Sequence, residues 1–230
     1  MAKKAGVGFG EEERDIGLYI AGFQPLTLSD FPGRTASIVF VQGCNFACPF
    51  CHNKELTHVP FGEKEPEKKS NVDSFPDFRA NKRRMEAYLE ERKRLLDGVV
   101  VTGGEPTMQP GIMDFASSLK KLGYLVKIDT NGSLPEVVKA LLDADLVDFI
   151  ALDIKAPWDK YPLCCGREGA ADAVRETMDL ISSRARECIF RTTFFPEMLS
   201  FDDLEKIKSG LPRGFRYIVQ QGTHRWKRNE

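Results

Sequence analysis

The chain has 230 residues, 42% of them hydrophobic and 29% charged, with a formal net charge of −1. That length suits one generous domain with a large core, and the near-neutral balance provides no overall field to draw in nucleic acid or an anionic membrane. No apolar run is long enough for a bilayer span or a secretory signal, so neither nucleic acid nor membrane is an expected partner, and the expected compartment is the cytoplasm. Six cysteines in such a chain point to metal or catalysis more than to disulfides.

Residues 1–16 are polar and read as an N-terminal tail; residues 17–230 read as a single domain. Leu18–Ala21 and Gln24–Leu28 read as two short strands around Gly22, followed by the breaker Ser29-Asp30-Phe31-Pro32-Gly33. Ser37–Val41 is a β-branched apolar run, hence a buried strand. Residues 58–80 are rich in Lys, Glu and Pro without an apolar period and read as an inserted surface loop. Asn81–Asp97 carries Met85, Tyr88, Leu89, Leu95 and Leu96 at helical spacing, and its basic residues read as the solvated face.

Strands and helices then alternate. Val99–Val101, Tyr124–Ile128, Phe149–Leu152, Ile189–Phe194 and Tyr217–Val219 are the expected strands. Between them lie helical stripes at Ile112/Phe115/Ala116/Leu119, Val137/Val138/Leu141/Leu142, Val174/Met178/Ile181 and Phe201/Leu204/Ile207/Leu211. Ser133–Glu136 has the form of a capping box for the second of these. Near-continuous apolar strands alternating with helices predict a parallel α/β sheet, either open and doubly wound or a partial barrel.

In both architectures chemistry gathers at the carboxyl ends of the strands. Following the successive strands are Gly43–Cys51, Thr102-Gly103-Gly104-Glu105-Pro106, Asp129-Thr130-Asn131-Gly132, Asp153-Ile154-Lys155, Pro196-Glu197 and Gln220-Gln221-Gly222-Thr223-His224. Groups far apart in sequence are therefore expected on one rim. Cys44, Cys48 and Cys51 are a chelating set on one short loop. Three thiolates can hold three irons of a [4Fe–4S] cluster and leave the fourth iron free for a small molecule. The alternatives are a structural zinc on these cysteines plus His52, in which adjacent Cys51 and His52 would strain a tetrahedron, and a thioredoxin-like Cys48–Cys51 pair, which leaves Cys44 unexplained. Cys164, Cys165 and Cys188 read as free thiols.

The cysteine loop, with Phe50 before its third cysteine, and Gly103-Gly104-Glu105-Pro106 after the next strand together resemble the radical S-adenosylmethionine superfamily. Within it, Gly22–Gly33 and Gln42–Asn53 resemble anaerobic ribonucleoside-triphosphate reductase activating proteins, while Asp129–Gly132 and Leu152–Lys155 resemble pyruvate formate-lyase activases. The resemblance implies a partial (β/α)6 barrel of TIM type and an oxidoreductase that cleaves S-adenosylmethionine reductively to place a glycyl radical on a partner enzyme. That partner is foremost anaerobic ribonucleotide reductase, with flavodoxin or ferredoxin as the kind of electron donor.

On the same ground, Cys44, Cys48 and Cys51 would ligate the cluster. Phe50, Gly103, Gly104, Asp129, Asn131 and Asp153 would line the cofactor, and Glu105 would face its ammonium. Asp129, Thr130 and Asp153 would hold a monovalent cation, and Lys155 would lie near the substrate peptide or the cofactor. Arg191 is expected as a further cofactor contact or as a strand arginine reaching for solvent. The alternatives are a pyruvate formate-lyase type activase, a small-molecule radical enzyme such as 7-carboxy-7-deazaguanine synthase, and a non-catalytic zinc module.

Overall fold

The computed structural model describes residues 17–59 and 78–222. The expected N-terminal tail, residues 60–77 of the expected 58–80 insertion, and Thr223 and His224 lie outside the described residues, while residues 78–80, expected in that loop, begin a helix. Among those described, no helix is long and apolar enough to cross a membrane.

Among the described residues seven strands form one sheet in sequence order: β1 (Ile20–Thr27), β2 (Ala36–Val41), β3 (Gly98–Gly103), β4 (Leu125–Thr130), β5 (Phe149–Asp153), β6 (Glu187–Phe194) and β7 (Arg216–Gln221). β1 pairs antiparallel with β2, and β2 through β7 run parallel. Six parallel strands whose edges do not pair with each other make the partial (β/α)6 barrel, with β1 as an extra antiparallel edge. Gly22 sits inside β1, so the two short strands expected there are one strand of eight residues. Its register shifts on either side of the Gly22–Gln24 pairing let it continue through the glycine.

The helices are α1 (Phe78–Arg92), α2 (Ile112–Lys121), α3 (Pro135–Asp143), α4 (Tyr161–Cys165), α5 (Ala170–Arg184) and α6 (Phe201–Ser209). The stripes of α2 and α5 are buried as the spacing predicts. Two other stripes differ. α1 stops at Arg92 in a turn, which leaves Leu95 68% exposed. Phe201 is 75% exposed and stacks on Phe194 from outside, ring centroids 5.2 Å apart. The capping box expected at Ser133 is absent: Leu134 occupies the N-cap of α3, and Ser133 turns its hydroxyl to Asn45 instead. A capping box is found at the start of α6, between Ser200 and Asp203. Helix α4, which no stripe announced, lies between β5 and α5.

Two apolar layers result from strands buried on both faces. The large one lies between sheet and helices and includes Val39, Val101, Val126, Ile128, Phe115 and Leu119. A smaller one fills the barrel's inner face with Phe31, Ala36, Ile38, Val100, Phe149, Ala151 and Ile189. Strand alternation puts Lys127 and Asp129 of β4 on that inner face, with Asp153 of β5 and Arg191 of β6 in register with each other. The plug is apolar at the bottom, so the polar groups collect at the strands' carboxyl ends.

Candidate active site at the barrel mouth

One cavity of about 550 Å³ opens at those ends, a size ordinary for a small-molecule site. It is lined by all three loop cysteines, Phe50, Gly103, Gly104, Glu105, Asp129, Thr130, Asn131, Asp153, Lys155 and Arg191. Expected rim positions from the exits of β2, β3, β4, β5 and β7 therefore share one cavity, whereas Pro196 and Glu197 after β6 do not line it. Thr193, Phe195, Gln220 and Gln221 join them from β6 and β7, and Phe195 stacks on Phe50 with ring centroids 5.0 Å apart.

The cysteine loop leaves β2 and is held from below. Buried Gln42 donates to the carbonyls of Glu55 and His58 at 3.0 and 3.1 Å, and Gln109 donates to the Gln42 carbonyl at 2.7 Å. The amides of Gly43 and Cys44 donate to the carbonyls of Leu56 and Thr57, so the segment after the cysteines folds back along the loop's root. Gly104 explains the double glycine. A Cβ there would lie 2.1 Å from the Gly43 carbonyl oxygen, and neighbouring Gly103 has φ +108°. Only glycines let β3's exit pack backbone to backbone against the cysteine loop.

The three thiols are half-buried. Burial pushes the Cys44 thiol up to about 11, with Glu105 adding to the shift, and the Cys48 thiol up to about 12, against the pull of Lys155. The metal-free chain therefore holds both as neutral thiols, and metal binding must release their protons. Among the described residues no group of three or more His, Cys, Asp or Glu side chains is gathered to hold a metal ion. Zinc needs its donors around one point, whereas a cubane takes each cysteine on a different iron. The all-sulfur donor set beside the cavity fits the cluster.

Glu105 is 1% exposed. Its Oε1 accepts from the Thr107 amide, the Thr107 hydroxyl and the Thr130 hydroxyl at 3.0, 2.6 and 2.7 Å, and its Oε2 accepts from the Asn131 amide at 2.7 Å. Burial nevertheless moves its carboxyl above the usual carboxylate range. The carboxylate expected to face an ammonium thus straps β3's exit to the end of β4, with most of its accepting capacity already used.

The opposite wall is ionic. Arg191 donates from Nε to Asp153 Oδ1 at 2.8 Å and from Nη1 to Asp129 Oδ2 at 3.0 Å. Lys155 donates to Asp153 Oδ2 at 3.0 Å, and Lys127 pairs with Asp129 Oδ1. Burial would raise the Asp153 carboxyl, but Arg191 and Lys155 outweigh it and hold the group at about 2. Every carboxylate oxygen of the expected cation site faces a resident cation, and the Thr130 hydroxyl donates to Glu105 while accepting from the Gly132 amide. The residues as they stand do not fit a monovalent cation. Arg191 lies in the space between the two carboxylates.

Lys127, absent from the expected site, has a signal in the sequence. A lysine inside the apolar run Leu125-Val126-Lys127-Ile128, two residues before Asp129, shares Asp129's face of the strand. Asn45 and Ser133 carried no such signal, because their partners are remote in sequence. Of the remaining cysteines, the Cys165 carbonyl accepts from the Ala47 amide at 2.9 Å, which ties α4 to the cysteine loop. Cys188 lies near the opposite end of β6.

The sequence model of the Radical SAM superfamily matches residues 38–207. A protein of Methanocaldococcus jannaschii provisionally named a glycyl-radical enzyme activating enzyme is 30% identical over 88% of this chain and 79% of its own length. A 7-carboxy-7-deazaguanine synthase of Thermococcus kodakarensis is 31% identical over 54% of this chain and 50% of its own. A pyruvate formate-lyase-activating enzyme of Listeria monocytogenes is 34% identical over 51% of this chain and 46% of its own. The chain thus spans about half the length of the last two. Among solved structures, Streptococcus suis SuiB bound to S-adenosylmethionine superposes with a TM-score of 0.55 at 16% identity, over 80% of this chain and 39% of that one.

Proposed function

We infer the function from one premise, that this chain belongs to the Radical SAM superfamily. It is an enzyme, and the superfamily implies a [4Fe–4S] cluster and S-adenosylmethionine. Our reading is an activase that places a glycyl radical on a partner enzyme, foremost anaerobic ribonucleoside-triphosphate reductase, with electrons from flavodoxin or ferredoxin in the cytoplasm. The observation that carries it is the shared cavity: three cysteines from β2's exit, the glycine pair from β3's and the charged groups of β4–β6 all line it.

In this reading Cys44, Cys48 and Cys51 ligate the cluster. When bound, the cluster and S-adenosylmethionine supply an electron and a 5′-deoxyadenosyl radical able to take a hydrogen atom from a glycine Cα. The chain's own residues do the rest. Gly103 and Gly104 keep side chains out of the contact between β3's exit and the cysteine loop, so backbone can approach the methionine moiety. Glu105 holds the end of β4 against β3. Lys155 and Arg191 line the cavity beside Asp129 and Asp153, so the ionic wall offers groups of both signs to the cofactor's carboxylate and ammonium. Phe50 and Phe195 form an apolar shelf that keeps water from that side of the cavity.

The test mixes the reduced, cluster-loaded protein and S-adenosylmethionine with anaerobic ribonucleotide reductase or, separately, pyruvate formate-lyase. Electron paramagnetic resonance with the first should show a glycyl doublet. A doublet with pyruvate formate-lyase alone would reassign the partner. Cleavage of S-adenosylmethionine with no protein radical in either mixture would favour a small-molecule enzyme, as the likeness to 7-carboxy-7-deazaguanine synthase allows.

A further inference from the structure

Cys44 differs from an ordinary loop cysteine in what reaches its sulfur. The Phe46 amide donates to Sγ at 3.4 Å, and the Asn131 carboxamide donates from Nδ2 at 3.8 Å, both within the longer reach of bonds to sulfur. The first is local. The second comes from the end of β4, 87 residues away, and every part of it is braced.

Asn131 Oδ1 accepts from the Ser133 amide at 2.9 Å. A backbone amide can only donate, so the oxygen must face Ser133, and the amide cannot be flipped. Both Nδ2 hydrogens then point at the cysteine loop: one goes to Asn45 Oδ1 at 3.0 Å and the other to the Cys44 sulfur. Asn45 is braced in turn, donating from Nδ2 to the Ser133 hydroxyl at 2.8 Å. The Asn131 main chain is held by Glu105 through its own amide at 2.7 Å. Asn131 and Ser133 are buried, 6% and 7% exposed, so water does not compete well for these bonds.

We propose that Asn131 is a positioning residue that aims an N–H at the Cys44 sulfur and thereby makes the cluster ligated there easier to reduce. The proposal rests on the cluster reading above. Reduction adds one electron, whose negative charge is shared onto the sulfur atoms, and an N–H donor stabilises that state more than the oxidised one. Asn suits the task because its amide can accept from Ser133 while donating twice. Aspartate would fit the same space but would turn an acceptor toward the sulfur. Asn45 serves as the brace that sets the direction.

The experiment is an anoxic redox titration of the reconstituted full chain, monitored by electron paramagnetic resonance, alongside iron content and urea unfolding of the metal-free protein. Asn131→Leu keeps the volume and loses both donors. It should load the same iron yet reduce about tenfold less favourably, a midpoint about 59 mV more negative for one electron. Asn45→Ala should move the midpoint the same way by about a third as much, with metal-free stability moving independently. Fully loaded Asn131→Leu with an unchanged or more positive midpoint overturns the proposal. If that variant loads poorly, Asn45→Ala decides by the same criterion. Failure of the unaltered chain to take up iron would sink the cluster reading itself, which is a separate outcome.

Discussion

Where the exits of β2, β3 and β4 meet, contact is made by close backbone packing and hydrogen bonds without ion pairs, with Gly104 against Gly43, Glu105 accepting from four donors, and the Asn45–Asn131–Ser133 brace. Across the mouth, on β4–β6, three cations and two carboxylates face each other along the inner strand face. The first wall is built by exclusion: glycine where any Cβ would collide, and a carboxylate whose partners all belong to the chain. The second wall is built by charge balance and keeps one positive charge in excess. One wall is fixed by packing and the other by charge, so the two should fail differently when altered.

The ionic wall should show the largest stability loss. Arg191→Met removes the group between Asp129 and Asp153 and leaves two carboxylates with only the lysines as partners. It should cost about 3 kcal/mol in urea unfolding of the metal-free chain. A loss below about 0.5 kcal/mol would mean that the lysines alone balance the wall. The wall without ion pairs comes next. Gly104→Ala should cost about 2 kcal/mol through overpacking against a backbone carbonyl, which cannot move aside as a side chain can.

The walls also differ in acid. Asp153, whose folded value lies at about 2, contributes stability that is complete above its unfolded value and is lost as pH falls from about 4 through 2. Asp153→Asn should flatten that part of the profile of stability against pH. Glu105 has the opposite shift, so its protonation on acidification does not destabilise the chain, and Glu105→Gln should leave the slope over this window unchanged. The smallest expected effect is Thr130→Val, which removes one of Glu105's four donors at a cost of about 1 kcal/mol.

Much of this arrangement was legible. The cysteine spacing, the glycine pair and the Asp129 and Asp153 segments all follow apolar runs, and the rule that parallel strands point their carboxyl ends one way gathers them on one rim. What side chains do to each other there was less legible. Glu105 read as a free carboxylate although Thr107, two residues on, already gives it two donors; the other two, on Thr130 and Asn131, lie 25 and 26 residues on and no local pattern announces them. The family resemblance cast Asp129 and Asp153 as cation ligands; that Arg191 sits opposite Asp153 depends on β5–β6 pairing, which no local pattern encodes. Ser133 read as a helix cap because the rival partner, Asn45, lies 88 residues away. Leu95 and Phe201 fit a helical period but lie at or beyond helix ends, where periodicity no longer reports burial.

The central claim is that the half-buried thiols of Cys44, Cys48 and Cys51 hold a cluster with one open iron. Anoxic reconstitution with iron and sulfide, followed by metal analysis and addition of S-adenosylmethionine and reductant, tests it directly. The account predicts about four irons per chain and formation of 5′-deoxyadenosine, with both lost in Cys48→Ala while the circular dichroism of the fold persists. A chain that takes up zinc but no iron, or a Cys48→Ala variant that still produces 5′-deoxyadenosine, would contradict it.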